Sequence, residues 1–505
     1  MLETNTLKTK DNLVAFLNEN KTPLIGIFIL SSLTLIGFSF ELYALPIAIL
    51  GVLIAIILLY NNKWGFYLTA FLLPFSISVT IPNSTFTINT PSEPLILILF
   101  FATLYQLIID FNKKLIIHPI SIIIGCMIFL FFISVCFSNL PFISFKVWIK
   151  YFILIITCYY GILKIALDDI YFPVKILLIH VSSFLIIAIA NIIEHSQFNF
   201  HREYAWHVPT PFYSDHAIYA TTAAFVICLL FAIILWNFRK FNMMFILASL
   251  SLLICLIALY LSYSRAGWLS ILVAFGFYFL ITFKIKWYQI GIVMSILCVF
   301  ALSMSDDLFM SFKRNDADSK KQKTNLEDQF KSMSNVNNDV SNLERINRWN
   351  AALRMTNESP YTGFGIGTYQ FEYFPYQKPS EMTYISIRNP QAKYHSGEGG
   401  TTHSEYLLIT SESGILSGFV YVSLLVVAIA VILKRTYSKN INLKDYYLLI
   451  GLGMSTVTYL VHGGFNNYLD TDKISFLFYC NLAAIVSIDL HLKNIHPAIE
   501  PKNIR

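Results

Sequence analysis

The sequence predicts an all-α polytopic membrane protein of about 12–14 transmembrane helices, with one large outer loop containing short helices. Of its 505 residues, 56% are hydrophobic and only 13% are charged, and the mean hydropathy is +0.60. A soluble domain carries roughly 25% charged residues. Apolar runs of about 20 residues, the length that crosses a hydrocarbon core of about 30 Å, recur along the chain. A single long polar segment interrupts them, at residues 306–410.

Fourteen apolar runs are candidate spans, and short polar segments separate most of them. They are residues 23–41, 43–60, 65–81, 93–110, 117–137, 148–166, 172–194, 215–237, 241–262, 266–283, 286–305, 411–433, 445–464 and 472–492. The chain thus divides into an N-terminal tail (1–22), an N-terminal bundle (23–305), the loop, C-terminal helices (411–492) and a C-terminal tail (493–505). The polar N-terminal tail does not read as a cleavable signal peptide, since two apolar runs follow it closely.

Lysine and arginine in the short connections predict the orientation. With the N-terminus in the cytoplasm, the inner segments hold 19 of these residues and the short outer segments hold five. This bias predicts both tails inside and residues 306–410 outside. Because topology accounts for the basic residues, the net charge of +6 does not indicate nucleic-acid binding. All seven cysteines lie in apolar runs, so neither a disulfide framework nor a thiolate metal site is predicted.

The outer loop has two parts of different composition. Residues 306–340 form a polar insert, whereas residues 341–410 are rich in aromatic side chains and are predicted to be ordered. Ser341 and Glu344 match a capping box, which predicts that a helix starts there. Arg345 and Arg348 then fall three residues apart on one face of that helix. Two cations near a helix N-terminus favour an acid or a bound phosphate as partner, although a solvated basic face is the alternative.

Glycines follow this helix at alternate positions, Gly363, Gly365 and Gly367. Such a turn lets the backbone approach another group closely. It matches neither a phosphate-binding loop of nucleotide hydrolases nor a dinucleotide fingerprint, since no strand precedes it. We therefore predict no nucleotide and no other cofactor.

Two further residues could bind or activate a substrate. Arg265 lies between two apolar runs on the predicted outer side, where an arginine either snorkels to the surface or meets an anion. His403 lies at the mouth of the next span and is a candidate general base, because the pKa of histidine is close to physiological pH. His395 competes for that role, and a structural histidine is the alternative.

Other polar residues at the predicted outer ends of spans are candidates for lining the same site, with helix capping as the alternative interpretation. These residues are Arg202, Asp215, His216, Glu412 and Asp470.

Four elements resemble the O-antigen ligase and polymerase superfamily in their order and spacing. They are Ser264-Arg265-Ala266-Gly267-Trp268, the helix with Arg345, Trp349 and Ala352, the turn with Gly363, Gly365 and Gly367, and the segment with His403, Tyr406, Leu407, Glu412 and Gly414. The resemblance extends over about residues 200–490 and is closest to the lipid A-core:O-antigen ligases. Three features depart from the family pattern. Relatives often have asparagine at the position of Ser404, the polar insert is additional, and the chain has fourteen candidate spans instead of the usual twelve.

The resemblance implies a metal-independent membrane glycosyltransferase of the bacterial inner membrane, with its active site facing the periplasm. Its donor would be a glycan linked to undecaprenyl diphosphate, and its acceptor a sugar hydroxyl of lipid A-core or another glycan. Arg265 and Arg345 match the diphosphate-binding arginines of the family, and His403 matches the proposed base. Arg348, on the same helix face as Arg345, is a third candidate for binding the diphosphate. One base with no evident nucleophile predicts inversion at the anomeric carbon.

Three other functions use the same kind of chain. A polymerase that extends the carrier-linked glycan and a protein O-oligosaccharyltransferase share the donor and differ in the acceptor. A lipid or polysaccharide transporter would place ionisable residues within the spans, whereas here the middles of the spans are almost free of charge. This distribution favours chemistry at the membrane surface.

Overall fold

The computed structural model describes residues 61–80, 87–284, 340–383, 386, 400–438 and 440–495. Within these ranges, ten helices are long and apolar enough to cross a membrane, which confirms the all-α polytopic fold class. The predicted spans 23–41, 43–60 and 286–305, the insert residues 306–339 and His395 lie outside the described residues. The chain divides into two compact units, Met1–Gly65 and Phe66–Arg505, and the candidate site lies in the second.

The helices of four or more residues are numbered in chain order. They are α1 (Asn62–Leu72), α2 (Ser92–Ile109), α3 (Lys114–Ile117), α4 (Pro119–Cys136), α5 (Pro141–Ile155), α6 (Ile162–Ala166), α7 (Phe172–Gln197), α8 (His216–Asn237), α9 (Met243–Leu261), α10 (Arg265–Thr282), α11 (Val340–Glu358), α12 (Tyr369–Glu372), α13 (Glu405–Thr436), α14 (Leu443–Phe465) and α15 (Asp472–Ile495). A π-helical turn, Ile156–Gly161, joins α5 to α6 into one span. Short 3₁₀ turns lie at Leu73–Phe75, Arg202–Trp206, Phe374–Tyr376 and Pro379–Glu381.

The predicted span 65–81 is wrong. Helix α1 ends at Leu72, since Pro74, in the 3₁₀ turn that follows, has no N–H to continue the ladder. An antiparallel hairpin of β1 (Ile77–Thr80) and β2 (Thr87–Thr90) comes next, with Ile77 opposite Thr90. Both strands are rich in β-branched residues, which favour the extended backbone, and overall hydropathy does not register that preference.

Two spans begin earlier than predicted. The span expected at 148–166 starts at Pro141, and the one expected at 411–433 starts at Glu405. Their first turns contain polar side chains, so hydropathy alone places the boundary too late. As a result the loop ends at Ser404, and residues 405–410 belong to the membrane helix α13 rather than to the loop.

The centre of the bundle is formed by α8, α14 and α15. In the apolar 18-residue stretch of each helix, 83%, 78% and 89% is buried within the protein, respectively. Close helix contact depends on small residues, as at Gly451 of α14, where an added Cβ would lie 2.5 Å from the Cβ of Ala232. By contrast, only 22% of the apolar stretch of α9 is buried, which leaves most of the surface of this helix for lipid.

The two ends of the bundle carry different polar groups. At one end, Asp489 accepts a 2.6 Å bond from Arg435 Nε and contacts His118 Nε2 at 3.1 Å. At the other end lie the start of α8, the start of α13 and the turn between α14 and α15, which are linked through Tyr468. We call this second end the site end, since it carries the candidate residues.

The aromatic-rich half of the long loop has a small hydrophobic core of its own. The buried members are Ala351, Ala352, Met355, Phe364, Tyr369, Tyr373 and Leu408. The Tyr369 and Tyr373 rings stack with centroids 5.0 Å apart. Because Leu408 belongs to α13, this core packs α11 and the glycine turn against the start of a membrane helix. The described part of residues 341–410 thus holds α11, α12 and two 3₁₀ turns around one core.

Candidate active site

The glycine turn lies directly against a kink in α13. Gly414 interrupts this helix with φ 83° and ψ 166°. The amide of Gly365 donates to the carbonyl of Glu412 at 2.8 Å, and a Cβ on Gly363 would collide with the Glu412 carbonyl group. Gly363, Gly365 and Gly367 all have positive φ, between 66° and 113°, which glycine adopts without steric penalty. The predicted close approach is therefore an approach of backbone to backbone.

Glu412 holds this turn in place. Its two carboxylate oxygens accept the amides of Gly367 at 2.8 Å and Tyr369 at 2.9 Å, and the residue is 4% exposed. Two backbone amides thus fix the side chain of Glu412 against the turn. Glu412 was predicted as a residue that lines the site, and the structure instead gives both of its oxygens to the backbone of the glycine turn.

Arg348 connects α11 to the chain just before His403. Its Nε donates to Glu344 Oε1 at 3.0 Å, and its Nη1 donates to the carbonyl of Thr401 at 2.9 Å. The guanidinium also lies over the Tyr373 ring, 5.5 Å from the centroid. A Cβ on Gly400 would collide with Nη1, so the chain passes very close to this side chain. Arg348 is 5% exposed and thus has buried protein partners, rather than an open face towards a ligand.

The predicted capping box is wrong, because α11 begins at Val340 and Ser341 lies inside the helix. Glu344 instead makes tertiary contacts. Besides Arg348, it accepts the hydroxyls of Thr383 at 2.7 Å and Ser386 at 2.5 Å. A residue that matches a local cap motif is thus used for long-range bonds, a choice that nearby sequence does not reveal.

His403 has a backbone conformation that non-glycine residues rarely adopt, with φ +54°. Its neighbours fix this conformation. The amide of Ser404 donates to Thr402 Oγ1 at 3.1 Å, and Thr402 Oγ1 donates to the Ser404 carbonyl at 2.8 Å. Thr402 is fully buried, while His403 is partly exposed. Backbone strain that the surroundings maintain is typical of functional sites.

The electrostatic surroundings of His403 come from three charged side chains. Burial lowers the pKa of its imidazole to about 3, the positive charges of Arg348 and Arg345 act in the same direction, and the negative charge of Asp215 opposes them. The imidazole is consequently neutral at neutral pH and carries a free lone pair, which a proton acceptor requires. Arg345, Arg348 and Asp215, which are distant from His403 in the sequence, lie within electrostatic reach of its imidazole.

Asp215 joins the start of α8 to the opposite turn. Its Oδ1 accepts the amide of Ala217 at 3.1 Å as the helix N-cap and lies 2.6 Å from Nδ1 of His216. Its Oδ2 accepts the hydroxyl of Tyr468 at 3.4 Å. Burial raises the pKa of Asp215, but the bond and charge of His216 outweigh this effect and leave the pKa below its usual value. The carboxylate is therefore ionised. It caps the start of α8 and also contributes a negative charge near His403.

Glu405, the residue two positions after His403, holds the turn between α14 and α15. Its Oε2 accepts the amide of Tyr468 at 3.0 Å and the hydroxyl of Tyr459 at 2.8 Å, and Glu405 is fully buried. Neither Glu405 nor Tyr468 was predicted from the sequence to belong to the site. Only the acidic character of a residue in an apolar helix pointed to Glu405, and nothing local identified Tyr468.

The two remaining arginines lie at the site end on neighbouring segments. Arg265 begins α10, directly after the N-cap Ser264, whose hydroxyl accepts the Gly267 amide at 3.4 Å. Arg202 lies near Tyr263, where its charge opposes the rise in the Tyr263 pKa that burial causes. Both arginines are partly buried. Arg265 is thus positioned by the start of a membrane helix.

Asp470 lies in the turn before α15 and is exposed to solvent. The protein around it nevertheless desolvates the carboxyl and raises its pKa, while the positive charge of Lys150 opposes that rise. Asp470 therefore lies at the site end, within electrostatic reach of Lys150 of α5.

Among the described residues, no group of three or more histidine, cysteine, aspartate or glutamate side chains is arranged to hold a metal ion. Arg265 and Arg345 are partly exposed cations at the site end, and guanidinium chemistry suits an anion such as phosphate.

Part of the chain matches a known protein family. Residues 250–422 match the family model described as O-antigen ligase. This segment includes Arg265, Arg345, Arg348, His403 and Glu412, whereas Arg202, Asp215, His216 and Asp470 lie outside it. A search of the curated proteins finds no match.

Proposed function

Because residues 250–422 match the O-antigen ligase family model, we propose that the chain is a membrane enzyme of the O-antigen ligase and polymerase type that acts as a lipid-linked glycosyltransferase. The donor is a glycan on undecaprenyl diphosphate, and the acceptor is a sugar hydroxyl of lipid A-core. The proposed location is the bacterial inner membrane, with the site facing the periplasm. The charge bias of the short connections supports this orientation.

One observation carries the proposal above the others. His403 is held in a strained conformation, with Arg345 and Arg348 close enough to affect its titration. A base next to arginines suits a reaction in which a hydroxyl loses a proton while a diphosphate departs.

The proposed step is a single displacement. The acceptor hydroxyl gives its proton to the imidazole of His403, and its oxygen attacks the anomeric carbon of the donor. The bond from that carbon to the diphosphate oxygen breaks, and undecaprenyl diphosphate leaves with the electron pair. One displacement inverts the anomeric configuration, and the negative charge that grows on the leaving group favours arginine nearby.

The arginines have separate roles in this proposal. Arg265 and Arg345 bind the diphosphate, consistent with their partial exposure at the site end. Arg348 is a positioning residue, since Glu344 and Thr401 already engage its guanidinium. This assignment revises our expectation from the sequence that Arg348 binds diphosphate itself.

Binding of the donor also changes the pKa of His403. In the free protein, the positive charges near His403 help to keep its pKa low. A bound diphosphate neutralises part of that charge, so the pKa of His403 rises and the imidazole accepts a proton more readily. The base thus becomes stronger when the donor is in place, which limits proton uptake in its absence.

The test is a transfer assay with reconstituted protein, purified undecaprenyl-diphosphate-linked glycan and lipid A-core. We expect glycosylated lipid A-core of inverted configuration. His403→Ala should reduce the rate by about 10²–10⁴-fold, the usual contribution of a general base. Arg265→Lys and Arg345→Lys keep the charge but lose bidentate contact, and should also transfer slowly.

The product decides between related functions. A longer carrier-linked glycan would identify a polymerase, and a glycosylated protein hydroxyl would identify a protein O-oligosaccharyltransferase. Folded His403→Ala protein that transfers at the wild-type rate would refute the role of His403. Wild-type transfer by both lysine variants would refute diphosphate binding by these arginines.

A further inference from the structure

An exposed tryptophan stands beside the polar groups of the site end. Trp206 ends the 3₁₀ turn Arg202–Trp206 and is 58% exposed. Its ring lies 4.0 Å from the imidazole ring of His216, centroid to centroid, with a tilt of 48°. One side of the indole therefore rests on a polar residue of the site, while much of its remaining surface is open.

The support under this indole is fixed by a chain of contacts. His216 Nδ1 lies 2.6 Å from Asp215 Oδ1, and Asp215 caps α8 through the Ala217 amide. The second oxygen of Asp215 accepts the Tyr468 hydroxyl, and Glu405 in turn accepts the Tyr468 amide. Since Glu405 follows His403 by two residues, the indole is connected by direct contacts to the segment that carries the proposed base.

This combination of groups matches a sugar ring. A pyranose has an apolar C–H face, which packs on an aromatic ring, and an edge of hydroxyls, which bind carboxylate and imidazole. Binding sites of small polar molecules commonly pair aromatic surface with a few placed polar groups. Here the aromatic surface is Trp206, and the polar groups are Asp215 and His216.

We propose that Trp206, with Asp215 and His216, forms a stacking subsite for a sugar ring of the acceptor. This inference rests on the proposed glycosyltransferase function. The acceptor is favoured over the donor diphosphate because the ionised Asp215 would repel an anion but accepts hydrogen bonds from sugar hydroxyls. An acceptor sugar bound here lies on the Asp215 side of His403, which must meet the attacking hydroxyl.

A different explanation is that Trp206 only anchors the chain at the membrane interface, as tryptophans often do. The two explanations predict different kinetics. An interfacial anchor affects insertion and stability, whereas a stacking subsite affects the affinity for one substrate.

The experiment measures transfer by Trp206→Ala and Trp206→Phe, varying lipid A-core and the lipid-linked donor separately. We expect Trp206→Ala to raise the KM for lipid A-core about five- to tenfold, the loss of one aromatic stacking contact, with little change in donor KM or kcat. Trp206→Phe keeps an aromatic face and should restore most of the affinity. Tyr361→Ala is the matched control, because Tyr361 is an 88% exposed aromatic residue of the loop outside this subsite.

The outcomes separate the two proposals. Absence of any transfer by the wild-type protein would refute the proposed function. Active protein in which Trp206→Ala leaves the KM for lipid A-core unchanged, or raises the donor KM instead, would refute only the subsite. Direct binding of lipid A-core to the His403→Ala protein, weakened by an added Trp206→Ala change, would support the subsite without relying on turnover.

Discussion

Arg348→Met is the change that most directly probes how the fold positions His403. Methionine keeps the length of the apolar stem but removes the charge and both hydrogen bonds. Glu344, which is 4% exposed, would then be a buried carboxylate without the counter-charge of Arg348. Removing one partner of a buried ion pair typically destabilises by about 3–5 kcal/mol. The Thr401 carbonyl also loses the 2.9 Å bond from Nη1, so the damage extends to the segment before His403.

The magnitude translates into an expected exchange rate. A local loss of about 3 kcal/mol increases the population of open states by about 10²-fold, at about 1.4 kcal/mol per factor of ten. Hydrogen–deuterium exchange of peptides that cover 400–406 reports this change, because the Ser404 amide is bonded to Thr402 Oγ1. We also expect transfer to slow by about 10²-fold, since small displacements of reacting groups have effects of that size.

A matched control lies on the same helix. Arg354 donates to both oxygens of Glu381, at 2.6 and 2.7 Å, and to the carbonyl of Tyr376. Arg354→Met should speed exchange near Glu381 but leave that of residues 400–406 unchanged. Positioning of His403 by Arg348 would be refuted if Arg348→Met left the protection of 400–406 intact, or if protection fell while transfer stayed at the wild-type rate.

Two further predictions concern the glycine turn and the base. Gly363→Ala should destabilise the protein by about 1–3 kcal/mol, because Gly363 has φ +66° and an added Cβ would collide with the Glu412 backbone. Gly276→Ala is the control and should be neutral or stabilising, because nothing lies within 4 Å of its Cβ. Thermal unfolding in detergent compares the two variants, and equal effects would contradict the steric argument. Protonated His403 has no lone pair with which to take the proton of the acceptor hydroxyl. Because the pKa of His403 is lowered to about 3, the imidazole stays neutral, and kcat/KM should stay level as the pH falls from 7 to about 5. Arg348→Met removes one cause of this low pKa and should move the acidic fall in kcat/KM to higher pH. A wild-type kcat/KM that already falls near the ordinary histidine pKa of about 6.5 would contradict the interpretation.

The structure also separates residues that look alike in the sequence. Arg345 and Arg348 are three residues apart and were expected to act together, yet Arg348 is buried against Glu344 while Arg345 remains partly exposed. Glu412 and His403 were both expected at the site, yet the Glu412 carboxylate is occupied by two amides of the glycine turn. Chemical type and spacing identify such residues as candidates, whereas burial and partners distinguish binding residues from positioning residues.

The sequence by itself determined the membrane class, the number and position of most spans in the described range, and the orientation bias of its basic residues. These properties follow from local hydropathy and charge, which each segment carries independently of the others. The chain also showed the glycine turn and His403, because closely spaced glycines and a histidine at the mouth of a span are recognisable locally.

Only the tertiary structure decided which of those residues meet. The contacts of Asp215 with Tyr468, of Tyr468 with Glu405, and of the glycine turn with Glu412 join residues that are 43 to 253 positions apart. Such contacts depend on how helices pack, which no local pattern encodes. The hairpin after Pro74 and the early start of α13 at Glu405 were missed for a related reason, since hydropathy reports where a segment prefers lipid and not where its backbone begins or stops being helical.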